Sequence, residues 1–232
     1  MFDVVLPLKA LPQAKSRLAK VLTDVQRRDL VLAMAQDVVA VLLAWRDCRT
    51  LTIIQGTGWP LKLPVAANLQ VIREDSCGGC DLNEILAAAI NQLNGERYAV
   101  VFGDLPGLRI TDLEALSGAF SRGQTVICCD SQNLGTNALA FQADDVPAFR
   151  FGGNSCSDYA RYIPRERRVA VASPGLSFDV DTPAALYALL WGNKAAMPVG
   201  TETQKWLRKA RSSGVLWQEN AKFEVQQRGI SR

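Results

Sequence analysis

Apolar and polar positions group along the chain into short strand-like runs separated by helix-like stretches. Residues 2–6 (Phe2-Asp3-Val4-Val5-Leu6) read as a buried first strand, followed by the loop Pro7-Leu8-Lys9-Ala10-Leu11-Pro12. A long helix is predicted from near Thr23, where Thr23-x-x-Gln26 has the form of a capping box. Leu30, Val31, Met34, Val38, Val41 and Leu42 recur at three- and four-residue spacing and mark its buried face. Residues 51–54 and 69–72 are predicted as further strands, and Asp81-Leu82-Asn83-Glu84 opens a helix with Leu86, Ala87, Ile90 and Leu93 facing inward. The run from Tyr98 is a fourth strand, and a helix follows from Thr111, with Thr111-x-x-Glu114 as its cap. Residues 125–129, 138–141 and 169–172 complete the strands, and Thr182-Pro183 starts a last core helix with Pro at its first helical position. Such alternation predicts an α/β fold with a mainly parallel sheet covered on both faces.

The pattern dissolves near Asn193, dividing the chain into a body, 1–193, and a basic C-terminal appendage, 194–232, with a short helix around residues 204–211. Trp206, Leu207, Val215, Leu216 and Trp217 are expected to pack on the body.

Composition narrows the chemistry. At 232 residues, 48% hydrophobic and 21% charged, the chain fits one large globular domain with an extension. No apolar run is long enough for a membrane span and no signal-peptide pattern opens the sequence, so a cytoplasmic location is expected. The tail holds eight Lys/Arg against three Glu, so it carries +5 and the body −2 of the net +3. The body therefore shows no nucleic-acid footprint, and no membrane partner is expected. Six cysteines form no regular framework and are expected to be reduced, and Cys77-Gly78-Gly79-Cys80 has no second pair to complete a zinc site. Histidine is absent, which removes every mechanism built on an imidazole base or a His-ligated metal.

The strand Tyr98-Ala99-Val100-Val101-Phe102 ends in Gly103-Asp104-Leu105-Pro106-Gly107, which puts Asp104 at the carboxyl end of a buried strand, where ligands bind in open α/β sheets, either as a metal-binding carboxylate or as a turn Asp satisfied by backbone amides. Asp179 and Asp181, two apart in an extended segment, point the same way and repel each other unless a cation lies beside them. With Asp104 they offer three hard oxygen ligands suited to Mg²⁺ and phosphates. Lys9, Lys15 and Arg17 follow the first strand and suit a polyphosphate, although neither a Walker loop nor a dinucleotide glycine pattern is present and scattered surface cations would look much the same. The segments Leu134-Gly135-Thr136-Asn137-Ala138 and Phe151-Gly152-Gly153-Asn154-Ser155 combine glycine with small hydroxyls, either as ordinary turns or as anion-binding backbone, with Ser155 a candidate N-cap.

Seven motifs occur in order: Pro7-Leu8-Lys9, Ala14-Lys15-Ser16-Arg17-Leu18, Leu82-Asn83, Gly103-Asp104-Leu105-Pro106, Gly135-Thr136-Asn137-Ala138-Leu139, Phe151-Gly152 with Ser155, and Pro174-Gly175-Leu176 with Asp179-Val180-Asp181-Thr182-Pro183. Together they resemble the 2-phospho-L-lactate or phosphoenolpyruvate guanylyltransferases of deazaflavin coenzyme F(420) biosynthesis. The resemblance implies a Rossmann-like, glycosyltransferase-A-like nucleotidyltransferase body, a three-layer sandwich on a mainly parallel mixed sheet. It also implies roles: Asp104, Asp179 and Asp181 for a metal; Thr136, Gly152 and Ser155 for the phosphorylated acid; Leu6, Pro7, Leu8, Lys9, Lys15 and Asn83 for the nucleotide. Asp81 replaces a glycine of the pattern, a basic residue after Asp130 is missing, and Cys156 and Tyr159 stand where an aromatic and a histidine are expected.

The expected reaction is Mg²⁺-dependent transfer of GMP from GTP to 2-phospho-L-lactate, phosphoenolpyruvate or 3-phosphoglycerate, releasing pyrophosphate. Lys15, Arg17 and Asp104 are its catalytic residues, and a homodimer is compatible with the chain. A nucleotidyltransferase of another pathway (molybdopterin or sugar phosphate) and a non-catalytic nucleotide-binding regulator are the alternatives.

Overall fold

The opening strand, β1 (Phe2–Leu8), is buried along its whole length, with Val4 and Leu6 facing one core and Val5 the other, as a two-residue period requires. The computed structural model describes residues 1–11, 14–61, 63–192 and 198–212. β1 is joined by β2 (Cys48–Gln55), β3 (Leu69–Arg73), β4 (Arg97–Val101), β5 (Thr125–Cys129), β6 (Thr136–Gln142) and β7 (Arg168–Ala170) in one sheet. The order is β3-β2-β1-β4-β6-β5-β7. β6 runs antiparallel to β4 and β5, and every other pairing is parallel. The sheet is therefore mixed and mainly parallel, as expected.

Helices cover both faces. α1 (Asp24–Ala44) and α3 (Ile110–Ala119) pack Val38, Leu42, Leu113 and Leu116 on one side. α2 (Leu82–Gln92) and α4 (Ser155–Tyr162) pack Ile85, Leu86, Ile90 and Tyr159 on the other. The short α5 (Pro174–Ser177) and α6 (Pro183–Trp191) follow. Pro183 holds the first turn of α6 behind a Thr182 cap.

The capping box of α1 forms as expected: Gln26 N–H donates to Thr23 Oγ1 at 3.3 Å and Thr23 N–H to Gln26 Oε1 at 2.9 Å. Three other details differ. α3 begins before Thr111, because the Asp112 carboxylate accepts the Arg109 N–H at 2.8 Å and closes the first turn without a hydroxyl cap. Ala87 of α2 is exposed, the inward positions being Ile85, Leu86, Ala89 and Ile90. Asn154 precedes α4, so Ser155 is its first helical residue and not its cap.

One further helix, α7 (Thr201–Ser212), docks on the flank of α1, burying Trp206 and Leu207 with Leu30, Val31, Met34, Leu189 and Leu190. Asp37 of α1 accepts the N–H groups of Glu202 at 2.9 Å and Thr203 at 2.8 Å, so one helix supplies the cap of the other. Val215, Leu216 and Trp217 lie outside the described residues.

Cysteine pairing differs from expectation. Cys129, the last residue of β5, forms a disulfide with Cys156 in the first turn of α4, across a Cα–Cα distance of 5.6 Å. Cys48, Cys77, Cys80 and Cys128 are free. The sheet carries β5 and the loop after it to the start of α4, where Cys156 N–H also donates to Leu134 O at 3.0 Å.

Candidate active site

Asp104 follows β4 by three residues, held where Phe102 N–H donates to Asn137 O of β6 at 3.1 Å. Val180 N–H then donates to Asp104 O at 3.3 Å, which clips the segment carrying Asp179 and Asp181 against the end of the strand. Ligand oxygens of Asp104, Asp179 and Asp181 lie within 4.8 Å of one another. The two parts of the chain are braced from behind by Asp112, which accepts from the Ser173 hydroxyl and from Gly175 N–H at 3.2 Å.

Into this cluster reaches Lys15. Its ammonium pairs with both Asp104 and Asp181 while its side chain is only 9% exposed. Lys15 sits in the left-handed region, φ 54°, an uncommon conformation for a residue with a side chain, at the entry of a 3-10 turn over Ser16–Lys20. Burial works against its charge, but the attraction of Asp104 and Asp181 outweighs it, and its pKa ends above the ordinary lysine value. Asp179 is pushed up to about 6, by burial first and by the neighbouring Asp104 and Asp181 charges next. Asn137 steadies it, donating from Nδ2 to Leu176 O at 2.9 Å and to Asp179 Oδ1 at 3.5 Å.

Asp104 Oδ1, Thr136 Oγ1 and Ser155 Oγ are buried without a hydrogen-bond partner among the described residues. Buried polar atoms are normally paired, and Thr203 Oγ1 at the start of α7 is orphaned too, so the atoms that suggest a ligand are those grouped with the carboxylates at the strand ends. Thr136 begins β6 after a loop folded by Asp130, whose carboxylate accepts N–H groups from Gln132, Leu134 and Gly135 at 3.0, 2.8 and 2.7 Å. A Cβ at Gly135 would come within 2.9 Å of Asp130 Oδ2, so a side chain there would push on the carboxylate that folds the loop.

The remaining expected residues fall into place unevenly. Lys9 is exposed at the end of β1, whereas Leu6 and Leu8 bury their side chains in the core and leave only backbone for a nucleotide. Pro7 is likewise buried. Arg17 is exposed and forms no ion pair with the three carboxylates. Asn83 engages both ends of its amide with the Phe151 backbone, accepting from Phe151 N at 2.7 Å and donating to Phe151 O at 3.2 Å. It thereby braces the loop that presents Gly152, which is exposed with open space beside its Cα. Asn137, Asp130 and Asp112 received no role from the sequence. Asn137 and Asp130 stand in or beside a recognised motif, and Asp112 carries no signal of its own.

Among families of known proteins, the one described as guanylyl transferase CofC like matches residues 2–228. The chain belongs to that family. This guanylyl transferase is similar over 88% of its length to phosphoenolpyruvate guanylyltransferase 2 of Rhodococcus jostii, with 31% identity and 89% of that protein covered. It is 30% identical to 3-phospho-D-glycerate guanylyltransferase of Phenylobacterium zucineum, over 91% of this chain and 98% of that one. A Desulfovibrio desulfuricans G20 chain named as a nucleotide-diphospho-sugar transferase has the same fold, with a TM-score of 0.70 and 19% identity, over 91% of this chain and 96% of that one. The activity is guanylyl transfer, in the biosynthesis of coenzyme F(420), as the motif resemblance implies. No helix among the described residues is long and apolar enough to cross a membrane.

Proposed function

We propose that this guanylyl transferase joins GMP from GTP to the phosphate of a three-carbon phospho-acid and releases pyrophosphate. The observation that carries this reading is the convergence of Asp104, Asp179 and Asp181 around the Lys15 ammonium, one strand over from the orphaned Thr136 hydroxyl. A phosphate oxygen of the acceptor attacks the α-phosphorus of GTP, a new P–O bond forms, and the bond to the β-phosphate oxygen breaks. The nucleophile is already anionic at neutral pH, so no base is required, which agrees with a chain lacking histidine. Catalysis is positioning and charge neutralisation.

The donor set fits a hard divalent ion: three carboxylates in common reach, one of them with a buried oxygen that nothing else satisfies. In this reading Asp104, Asp179 and Asp181 hold Mg²⁺, which when bound neutralises charge on the reacting phosphates. Lys15, released from the carboxylates, supplies its charge to the departing pyrophosphate, with Lys9 and Arg17 on the same loop and the backbone of residues 6–9 beside the nucleotide. Thr136, Gly152 and Ser155 hold the acceptor, and Asn83 acts on it through the Phe151 backbone.

The test is to incubate the protein with GTP, Mg²⁺ and, separately, 2-phospho-L-lactate, phosphoenolpyruvate and 3-phosphoglycerate, then identify products by mass. A guanosine joined through a diphosphate to one of the acids, with pyrophosphate released, is expected. Absence of any adduct with all three acids contradicts the reading.

A further inference from the structure

Beyond the carboxylates, the carboxyl ends of β2 and β3 border a cleft of about 540 Å³ walled by Thr57, Trp59, Glu74, Cys80 and Ile85. It adjoins the loop after β1: Gly56 N–H donates to Leu8 O at 2.7 Å, and the Trp59 indole N–H donates to Lys9 O at 2.7 Å. Gln55 Nε2 also donates to Trp59 O at 3.0 Å, which anchors the tryptophan in the wall of the cleft.

Glu74 stands in the turn that follows β3. Its carboxylate lies beside the backbone just past the end of β2, since a Cβ on Gly56 would come within 2.5 Å of Glu74 Oε2. The side chain is half-buried, yet it accepts no hydrogen bond and forms no ion pair among the described residues. The adjacent cation is spent elsewhere, because Arg73 Nε donates to Asp75 Oδ1 at 3.0 Å. A carboxylate sheltered in a cleft beside an aromatic ring, with no donor of its own, is complementary to a flat ligand presenting two N–H groups on one edge.

Guanine presents such an edge, through N1–H and the 2-amino group, whereas adenine turns the N1 lone pair toward the same carboxylate. The spacing is also suitable: Asp104 follows β4, and β1 separates β4 from β2, so the cleft lies about 10 Å across the sheet from the acids. That is the order of the reach from the α-phosphate of a nucleotide to its base. We infer that Glu74 is the residue that selects guanine, accepting N1–H and the 2-amino group while Trp59 flanks the ring. The inference rests on the reading of GTP as donor.

The test compares GTP, ITP and ATP on the wild type and on Glu74→Gln and Glu74→Ala, by calorimetric binding and by kcat/KM with whichever acid is turned over. Each variant is expected to lose roughly 10- to 100-fold in GTP affinity, the range for a hydrogen bond to a charged group. The loss should appear in KM with kcat nearly unchanged. Wild-type preference for GTP over ITP, which lacks the 2-amino group, and over ATP should collapse in both variants. Variants that bind GTP with the wild-type preference over ATP overturn the inference, even if turnover is normal. A wild type that selects GTP in calorimetry but forms no adduct contradicts the proposed reaction and leaves the role of Glu74 to be read from binding alone.

Discussion

Replacing Lys15 by Met removes the charge lying between Asp104 and Asp181 and keeps the length of the stem. The ammonium is almost fully enclosed, and removing one partner of a buried ion pair costs about 3–5 kcal/mol. The Asp181 side chain is 45% exposed and that of Asp104 21%, so solvent absorbs part of the penalty and a loss of about 2–3 kcal/mol is expected. Urea denaturation with chelator present at about pH 7.5 should show this as a midpoint lower by about 1 M, at a slope of about 2–3 kcal/mol/M. The sign of the pH dependence follows from Asp179. Its folded pKa of about 6 lies above the unfolded value, so the stability tied to this group is full below the unfolded pKa and is lost as pH rises through about 6. Lys15 lowers that pKa, so its removal lifts it further, and the variant suffers most above about pH 6. The gap between variant and wild type should therefore narrow at about pH 5, below the value at which Asp179 protonates. Mg²⁺ or Mn²⁺ in place of chelator should recover more stability in the variant than in the wild type. Equal midpoints at neutral pH, or a gap unchanged in acid, would refute the electrostatic account of the cluster.

Three other outcomes are expected. Asp104→Asn should lower turnover on the order of a hundredfold or more while leaving circular dichroism unchanged; near-normal turnover at saturating Mg²⁺ removes this acid from the centre. Cys129→Ser should lose about 3.5 kcal/mol in denaturation experiments, from the loop-closure relation for a sequence separation of 27, and thiol counting under denaturing conditions without reductant should find two fewer free groups in the wild type than after reduction. Burial first, then Asp3 and Asp112 respectively, push the Cys48 and Cys128 thiols up to about 12, so alkylation of the native protein at pH 8 followed by peptide mapping should label the exposed Cys80 and spare both.

The strands were legible because four- and five-residue apolar runs set between turn residues leave few alternatives, and the α1 cap because Thr23 and Gln26 satisfy each other locally. The start of α3 was not, since Asp112 caps from inside the helix and Thr111 offered a false hydroxyl one residue earlier. Ala87 misled because alanine suits either face of a helix. Contacts between distant segments were the least visible. Asp37 capping α7, Asn83 holding Phe151, and Cys129 meeting Cys156 each depend on how the layers stack. The three acids were foreseen as a group from their strand-end and extended settings, but the insertion of Lys15 between two of them was not, because it requires a left-handed backbone at a residue that rarely adopts one.

Soaking crystals with Mn²⁺ and a GTP analogue carrying a methylene between the α- and β-phosphorus tests the central claim most directly. An anomalous peak at coordination distance from Asp104, Asp179 and Asp181 together, with the Lys15 ammonium turned from the acids toward the phosphates, is the predicted result. Manganese bound away from these three side chains, or a nucleotide seated with its α-phosphate remote from them, would contradict it.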